Sequence, residues 1–141
     1  MALPENEIWY SNIASIVFTN LKTRVINMIG SDYPKLKFVS PNEAYTESNF
    51  PTVRLWQVDM YEVGNGLDYN AIEAFNVTLQ ADVISLNAKD TERIRTYVIK
   101  AMHDIGFRTI SVPPVLRNAN KQYGYARFRR LVQETDIFIT Q

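Results

Sequence analysis

The residues that could support catalysis are few in this sequence of 141 residues, and they lie far apart. His103 is the single histidine, and its spacing from Val98 places it off the apolar stripe of a predicted helix, where it is exposed to solvent. The acidic residues form no pair at helical spacing that could support glycoside hydrolysis. No glycine-rich segment ends in Gly-Lys-Ser or Gly-Lys-Thr, so a common phosphate-binding loop is not predicted. The sequence therefore predicts no enzyme, no cofactor and no metal site.

The composition narrows the class of protein further. The chain has no cysteine, which removes disulfides, thiolate chemistry and cysteine zinc sites. Its 15 basic residues balance its 15 acidic residues, and a neutral total argues against a protein that coats DNA or RNA. Residues 1–70 hold five Lys or Arg and eight Asp or Glu, whereas residues 71–141 hold ten and seven. Such an uneven distribution favours head-to-tail contact between identical subunits.

A cluster of basic and aromatic residues near the C-terminal end is a candidate binding surface. It consists of Tyr123, Tyr125, Arg127, Phe128, Arg129 and Arg130. A strand of this composition can form a platform for nucleic acid, but the sheet motif with that role carries glycines that are absent from residues 127–132. We therefore favour the interpretation that these arginines pair with carboxylates on neighbouring strands or subunits. A small nucleic-acid-binding regulator stays open as an alternative.

The stretch of residues 75–107 organises the predicted fold. From Phe75 to Val83 apolar and polar residues alternate strictly, which predicts a strand with one buried face and one solvent-exposed face. Asn87 is a candidate N-cap for a helix whose apolar positions recur at helical spacing as far as Ile105. Gly106 then occupies the position of a left-handed C-cap. A strand and a helix of this kind must cover each other or another element.

The remaining elements follow from the same periodicities. An amphipathic helix of about six turns ends near Gly30, because Trp9, Ile13, Val17, Leu21 and Val25 recur every four residues. Further strands are predicted at 35–39, 52–63, 109–112 and 125–140, and residues 115–124 are predicted to be a long connection. In the strand at 52–63 the apolar parity changes. A β-bulge near Trp56, or a strand that is apolar on both faces, would account for this change.

The order of these elements predicts a single α+β domain over residues 1–141. We expect a mostly antiparallel sheet of four to five strands with two main helices packed on one face. Residues 64–73 join two strands and are more numerous than a tight hairpin needs. They form either a flexible loop or a hairpin arm that becomes ordered against a neighbouring subunit. In the second case the candidate interface residues are Gly64, Asn65, Gly66, Leu67, Tyr69 and Ile72, together with Arg127, Arg129 and Arg130.

This layout resembles the tail-terminator, or tail-completion, proteins of long-tailed bacteriophages. The resemblance rests on the leading helix, the long hairpin with a long tip, the helix that ends His103-Asp104-Ile105-Gly106-Phe107, the proline-containing loop and the closing strand Tyr125-Ala126-Arg127-Phe128-Arg129-Arg130. It covers nearly the whole chain and is a matter of order and size, with no invariant motif. The resemblance implies a small α+β domain that forms a hexameric ring, and residues 64–73 would be the loop that becomes ordered in the ring.

The resemblance also implies a location and a set of partners. The ring would stop growth of the tail tube and offer a docking surface to the head connector, at the tail–neck junction of the virion. The expected partners are copies of the chain itself, the tail tube protein and head–tail connector or neck proteins, with DNA only as passing cargo and no membrane. Before incorporation the protein would be in the host cytoplasm. The alternative within this class is another neck, head-completion or tail-tube ring protein.

Overall fold

The computed structural model describes residues 9–40, 43, 51–63 and 74–136. Over these residues the chain is an α+β fold with two α-helices and six strands. The helices are α1 (Ile13–Ile29), which follows a short 3-10 helix, and α2 (Ala88–Asp104). The strands are β1 (Lys37–Val39), β2 (Thr52–Glu62), β3 (Ala74–Ser85), β4 (Arg108–Ser111), β5 (Leu116–Asn118) and β6 (Lys121–Gln133).

All six strands belong to one mixed sheet. Its order is β1-β2-β3-β6-β4, and β5 pairs with the start of β6. The β1–β2 pair is parallel, whereas β2–β3, β3–β6, β4–β6 and β5–β6 are antiparallel. The α+β class and the antiparallel character are confirmed, but the sheet has one strand more than expected and a parallel pair at one edge.

The additional strand is β5, which lies in the segment predicted to be a long connection. Leu116 pairs with Tyr123, and the two central turn residues are Ala119 and Asn120. A two-residue hairpin turn is usually predicted from an Asn-Gly or Asp-Gly sequence, and neither is present here. The same pairing explains why β6 begins at Lys121, four residues before its predicted start. The predicted end of this strand is wrong at residues 134–136, because β6 ends at Gln133 and a turn follows it, and residues 137–140 lie outside the described residues.

Both helices pack on one face of the sheet and share one core with it. The stripe on α1 is confirmed: Ile13, Val17, Leu21, Val25 and Ile29 are each at most 1% exposed. This helix packs against α2 and β2, and α2 packs against β3, β6 and β4. Burying an apolar stripe of this kind is the main source of stability for a helix of 17 residues.

The predicted caps of α2 are confirmed. The Asn87 side chain accepts a hydrogen bond from the Lys89 amide at 2.8 Å. At the other end Gly106 has φ +92°, a conformation that favours glycine. The amide of Phe107 donates to the Met102 carbonyl at 2.9 Å, which is the long hydrogen bond of a Schellman motif. These caps fix where α2 starts and ends over the sheet.

The predicted bulge in β2 is confirmed as well. The register with β3 shifts between Gln57 and Asp59. Before the shift Val53 and Leu55 are fully buried beneath the helices, and after it Met60 lies opposite the core residue Val77. The extra residue therefore reverses the parity of β2 and places Asp59 on the face of the sheet opposite α1 and α2.

A candidate assembly surface on the open face of the sheet

The face of the sheet opposite the helices, here called the open face, is covered along its centre by its own side chains. Thr78, Gln80 and Asp82 of β3 are only 3–4% exposed. The prediction that this side of the strand is exposed to solvent is wrong at these three positions. Long side chains from β2 and β6 extend over β3, and buried polar groups of this kind require hydrogen-bond partners.

Asp82 is the acceptor at the centre of this polar layer. Trp56 Nε1 donates to Asp82 Oδ2 at 3.0 Å. The hydroxyl of Tyr123 and the Nε2 of Gln80 donate to Asp82 Oδ1 at 2.8 and 2.7 Å. Hydrogen bonds to a carboxylate are stronger than those between neutral groups. The three bonds therefore connect β2, β3 and β6 through one buried side chain.

The environment of Tyr123 stabilises the protonated form of its hydroxyl. Burial raises the pKa of the Tyr123 phenol above its ordinary value, and the hydrogen bond to the Asp82 carboxylate raises this pKa further. Both effects disfavour the phenolate, because it would be poorly solvated and would lie beside a second negative charge. Tyr123 is therefore a hydrogen-bond donor to Asp82 at neutral pH.

The three arginines predicted as interface residues do not lie together. Arg127 and Arg129 are on the open face, where Arg127 Nε donates to Gln80 Oε1 at 2.8 Å and Arg129 Nε donates to Thr78 Oγ1 at 3.1 Å. Arg130 has the opposite parity and forms an ion pair with Asp136 at 3.2 Å. Arg130 thus pairs with a carboxylate that directly follows its own strand and not with one on a neighbouring strand, whereas these bonds of Arg127 and Arg129 go to neutral oxygens.

The aromatic residues of the same predicted cluster are also divided between the two faces. Tyr123 and Tyr125 are on the open face with their ring centroids 6.0 Å apart, and the Arg127 guanidinium lies 5.9 Å from the Tyr125 ring centroid. Phe128 is fully buried under the helices. The open face thus retains two tyrosines and two arginines of the predicted cluster.

The other predicted interface residues, which are Gly64, Asn65, Gly66, Leu67, Tyr69 and Ile72, lie outside the described residues. The structure does describe the two strands that residues 64–73 connect. Glu62 pairs with Phe75, and the Val63 amide donates to the Ala74 carbonyl at 3.0 Å. The connection therefore starts from a hairpin whose strands are paired as far as their last residues.

Exposed apolar side chains mark the edge of the sheet formed by β4 and β5. Ile110, Val112 and Leu116 are 40%, 46% and 58% exposed. Pro113 and Pro114 lie between them and have no amide hydrogen to donate. This edge was not predicted as a binding surface, although apolar residues on both sides of a Pro-Pro pair could have indicated it. A second exposed apolar pair, Tyr61 and Leu131, flanks Asn76 on the open face.

His103, one cavity and the acidic side chains are the features relevant to catalysis or ligand binding. His103 is exposed, as predicted, and its Nε2 lies 2.8 Å from the Thr109 hydroxyl. A cavity of about 350 Å³ between the β5–β6 hairpin and the β2–β3 strands is lined by Arg54, Lys121 and Asp82, among others. Among the residues that the structure describes, no group of three or more His, Cys, Asp or Glu side chains could hold a metal ion.

Comparisons with known proteins assign no family. No protein-family model matches the chain, and no curated protein is similar enough to count as a match. Within the described ranges, neither helix is long and apolar enough to cross a membrane.

Proposed function

We propose that this chain is a structural protein of a long-tailed phage virion that forms a ring of the tail-terminator type. The observation that carries the proposal is the state of the two sheet edges. β1 pairs with β2 only at residues 52–54, so the outer edge of β2 from Leu55 to Glu62 pairs with no described strand. At the opposite side β4 has β6 as its single partner among the described strands and is followed by exposed apolar residues.

Edges of this kind favour assembly of the chain with copies of itself. Unpaired strand edges expose amide and carbonyl groups that a second strand can bind. In the proposed ring the sheet edges and residues 64–73 of one subunit contact the next subunit. A closed ring satisfies every such contact, so it cannot add another tube subunit. The layout shared with the tail-terminator family supports this mechanism.

The contribution of residues 64–73 can be tested by deleting residues 64–70. We expect the deletion variant to stay folded, because β2 and β3 remain paired up to Glu62 and Phe75 and because the two helices pack elsewhere. We also expect it to lose the ring, since the segment that would contact the neighbour is gone. Light scattering gives the solution mass and negative-stain images give the shape. A matched control replaces Leu67 and Tyr69 by Ser at full loop length.

Each result of this experiment has a defined meaning. If both variants lose the ring, the apolar side chains of Leu67 and Tyr69 make the contact. If only the deletion variant loses it, assembly requires the length of the loop and not these two side chains. If the deletion variant forms rings like those of the unmodified chain, the loop has no part in assembly. Circular dichroism on the same samples verifies that the variants are folded.

The position of the ring in the virion is tested by removing the gene from the phage that encodes it. Absence of a terminator yields overlong tails, because nothing stops the growth of the tube. Absence of a head-side protein yields tails of normal length that are free of heads. Tail lengths measured in electron micrographs therefore separate the terminator from another neck or head-completion protein.

A second candidate function is nucleic-acid binding by the open face. The observation in its favour is the presence of Tyr123, Tyr125, Arg127 and Arg129 on one exposed side of the sheet. Aromatic stacking together with a cationic surface binds single strands, and the affinity falls steeply with salt. A salt-dependent gel shift that is lost in Arg127→Ala, but kept in the helix-surface control Lys22→Ala, would favour this function over the structural one.

A further inference from the structure

Charge is separated between the two sides of the sheet much more sharply than the overall composition indicates. Residues 55–88 contain five acidic residues and no Lys, Arg or His. Residues 105–133 contain six Lys or Arg and no acidic residue. The first segment contains most of β2 and all of β3, and the second contains β4, β5 and β6. Of these acidic residues Asp59 and Glu62 lie on β2, in the part of its edge that β1 does not cover, whereas Arg108 lies on β4 at the opposite side of the sheet, so these two free edge segments carry opposite charge.

One row of paired residues on the open face shows this separation directly. Asp59 of β2 pairs with Thr78, and Thr78 pairs with Arg129 of β6. Arg129 in turn pairs with Arg108 of β4 at the end of the row. The row thus begins at one side of the sheet with a carboxylate and ends at the other with two arginines.

The two arginines form an unfavourable pair by themselves. Like charges directly opposite each other on neighbouring strands are destabilising. The Arg108 side chain is exposed, and it forms no hydrogen bond or ion pair with any residue that the structure describes. A carboxylate brought in beside Arg108 would relieve the repulsion and gain two cationic neighbours.

The strand directions allow a second copy of the chain to supply this carboxylate. β2 is antiparallel to β3, β3 to β6 and β6 to β4, so β2 and β4 run in opposite directions. If a second copy continues the sheet beyond β4 with its open face on the same side, its β2 lies antiparallel to β4. Antiparallel strands form the more stable ladder of backbone hydrogen bonds.

We propose that the β4 edge of one copy pairs with the outer edge of β2 of the next copy, with Asp59 of that next copy beside Arg108 and Arg129. The row that contains Asp59 then continues from one subunit into its neighbour at the same level. This contact also covers Ile110 on β4 and extends toward Tyr61 on β2, which are 40% and 46% exposed in the single chain. The contact joins two different surfaces, and contacts of this head-to-tail type build a ring when the rotation from one copy to the next closes, as the proposed function requires.

The inference rests on the proposed function, because it names the subunit contact of the ring. It can nevertheless be tested on the purified chain without any virion. The test uses two charge-reversal variants, Asp59→Lys and Arg108→Asp. Each variant replaces an attraction by a repulsion at the same contact, and we expect each to weaken association at least tenfold. The association constant is obtained from the solution mass over a concentration series at low salt.

Mixing the two variants provides the sharper test. When the two variants alternate, the new lysine on β2 of Asp59→Lys lies beside the new aspartate on β4 of Arg108→Asp. At the next contact the native Asp59 lies beside the native Arg108. The mixture should therefore assemble within about threefold of the unmodified chain, although each variant alone does not. Lys22→Glu on α1 and Glu92→Lys on α2 are matched controls, because both residues are exposed on helices, and they should assemble normally.

Covalent trapping tests the same contact when association is weak. Because the chain has no cysteine, a mixture of Asp59→Cys and Arg108→Cys can form only engineered disulfides. We expect disulfide-linked dimers that contain one copy of each variant in excess over dimers of a single variant, and no such excess with Lys22→Cys as partner. Reversal variants that assemble normally, a mixture that fails to assemble, or a random distribution of disulfides would each overturn the proposal.

The outcomes of this test and of the tail-length test are independent. If mixing restores assembly but loss of the gene leaves tail length unchanged, the edge contact stands and the terminator function fails. If tails become overlong but the charge reversals have no effect, the terminator function stands and a different contact builds the ring.

Discussion

Asp82 shows how one buried side chain can connect three strands on the face of the sheet opposite the helices. Its carboxylate accepts from an indole, a phenol and an amide that come from three adjacent strands. The side chain is only 3% exposed, and the three donors replace the hydrogen bonds to water that burial removes. We attribute the order of this part of the open face to that arrangement.

Replacing Asp82 by Ala should lower the free energy of unfolding by about 2–4 kcal/mol. The change leaves the donors of Trp56 and Tyr123 without their acceptor, and each unsatisfied buried group costs about 1–3 kcal/mol. Asp82→Asn keeps one acceptor oxygen and should lose less. Denaturant melts monitored by Trp fluorescence give both values, with exposed Glu92→Ala as a control near zero. Equal losses in the Ala and Asn variants would contradict this explanation, because Asn retains an acceptor oxygen that Ala lacks.

Stability should fall at alkaline pH, and Tyr123 should account for part of the fall. The folded state raises the pKa of Tyr123, so it binds this proton more tightly than the unfolded chain does. The stabilisation is complete below the ordinary tyrosine pKa of about 10 and is lost as the pH rises above it. Denaturant melts from about pH 8 to about pH 11 should show a steeper decline for the unmodified chain than for Tyr123→Phe. Identical slopes would contradict this assignment.

Sequence patterns predicted which residues face the helices but not what covers the other face. The alternation from Phe75 to Val83 correctly assigned the apolar positions to the core. It assigned Thr78, Gln80 and Asp82 to solvent, because a single strand carries no information about the side chains beside it. Trp56 and Tyr123 cover them only after strand pairing brings residues 26 and 41 positions away from Asp82 into contact.

At the scale of elements, the β5–β6 hairpin has an unusual turn. Ala119 has φ +57°, and it is the one non-glycine residue with positive φ in the described part of the chain. A side chain in this region costs about 1 kcal/mol relative to glycine, because its Cβ approaches the following carbonyl. The β6 strand of this hairpin is held by its pairing with β3, and the turn carries none of the usual hairpin residues, which is why it could not be recognised in the sequence.

Replacing Ala119 by Gly should raise the free energy of unfolding by about 0.5–1 kcal/mol. Glycine relieves the strain at φ +57°, and its greater freedom in the unfolded chain offsets part of the gain. The same substitution at Ala126, a fully buried residue of β6, should have the opposite sign, because glycine weakens a strand interior and leaves a space. Thermal melts of the two variants would contradict the explanation if Ala119→Gly were destabilising.

The helices were the elements most fully predicted from the sequence, and the reason is that their signals are local. Asn87 and Gly106 cap α2 within the same few residues that define its stripe. The short edge strands have no such signal. β5 has three residues and is exposed throughout, so no apolar alternation could reveal it.

At the scale of the whole molecule, the sequence predicted the class of fold but not the order of the strands. The hairpin of β2 and β3 is adjacent in sequence and was predicted, whereas the position of β6 between β3 and β4 depends on pairings across long distances. That order separates the acidic hairpin from the basic strands and places each at its own side of the sheet. The proposed ring therefore depends on a property that exists only after folding, since neither segment has an edge by itself.

The order of the strands also has a consequence for how the protein is made. The strand at the centre of the sheet, β3, ends at Ser85, but its second partner extends to Gln133. A ribosome must therefore add nearly fifty further residues before that side of β3 can be covered. During this interval the nascent chain exposes a long apolar strand beside an incomplete sheet, a state that is prone to aggregation. Chains released early, before β6 is complete, are accordingly expected to aggregate or to be degraded by proteases.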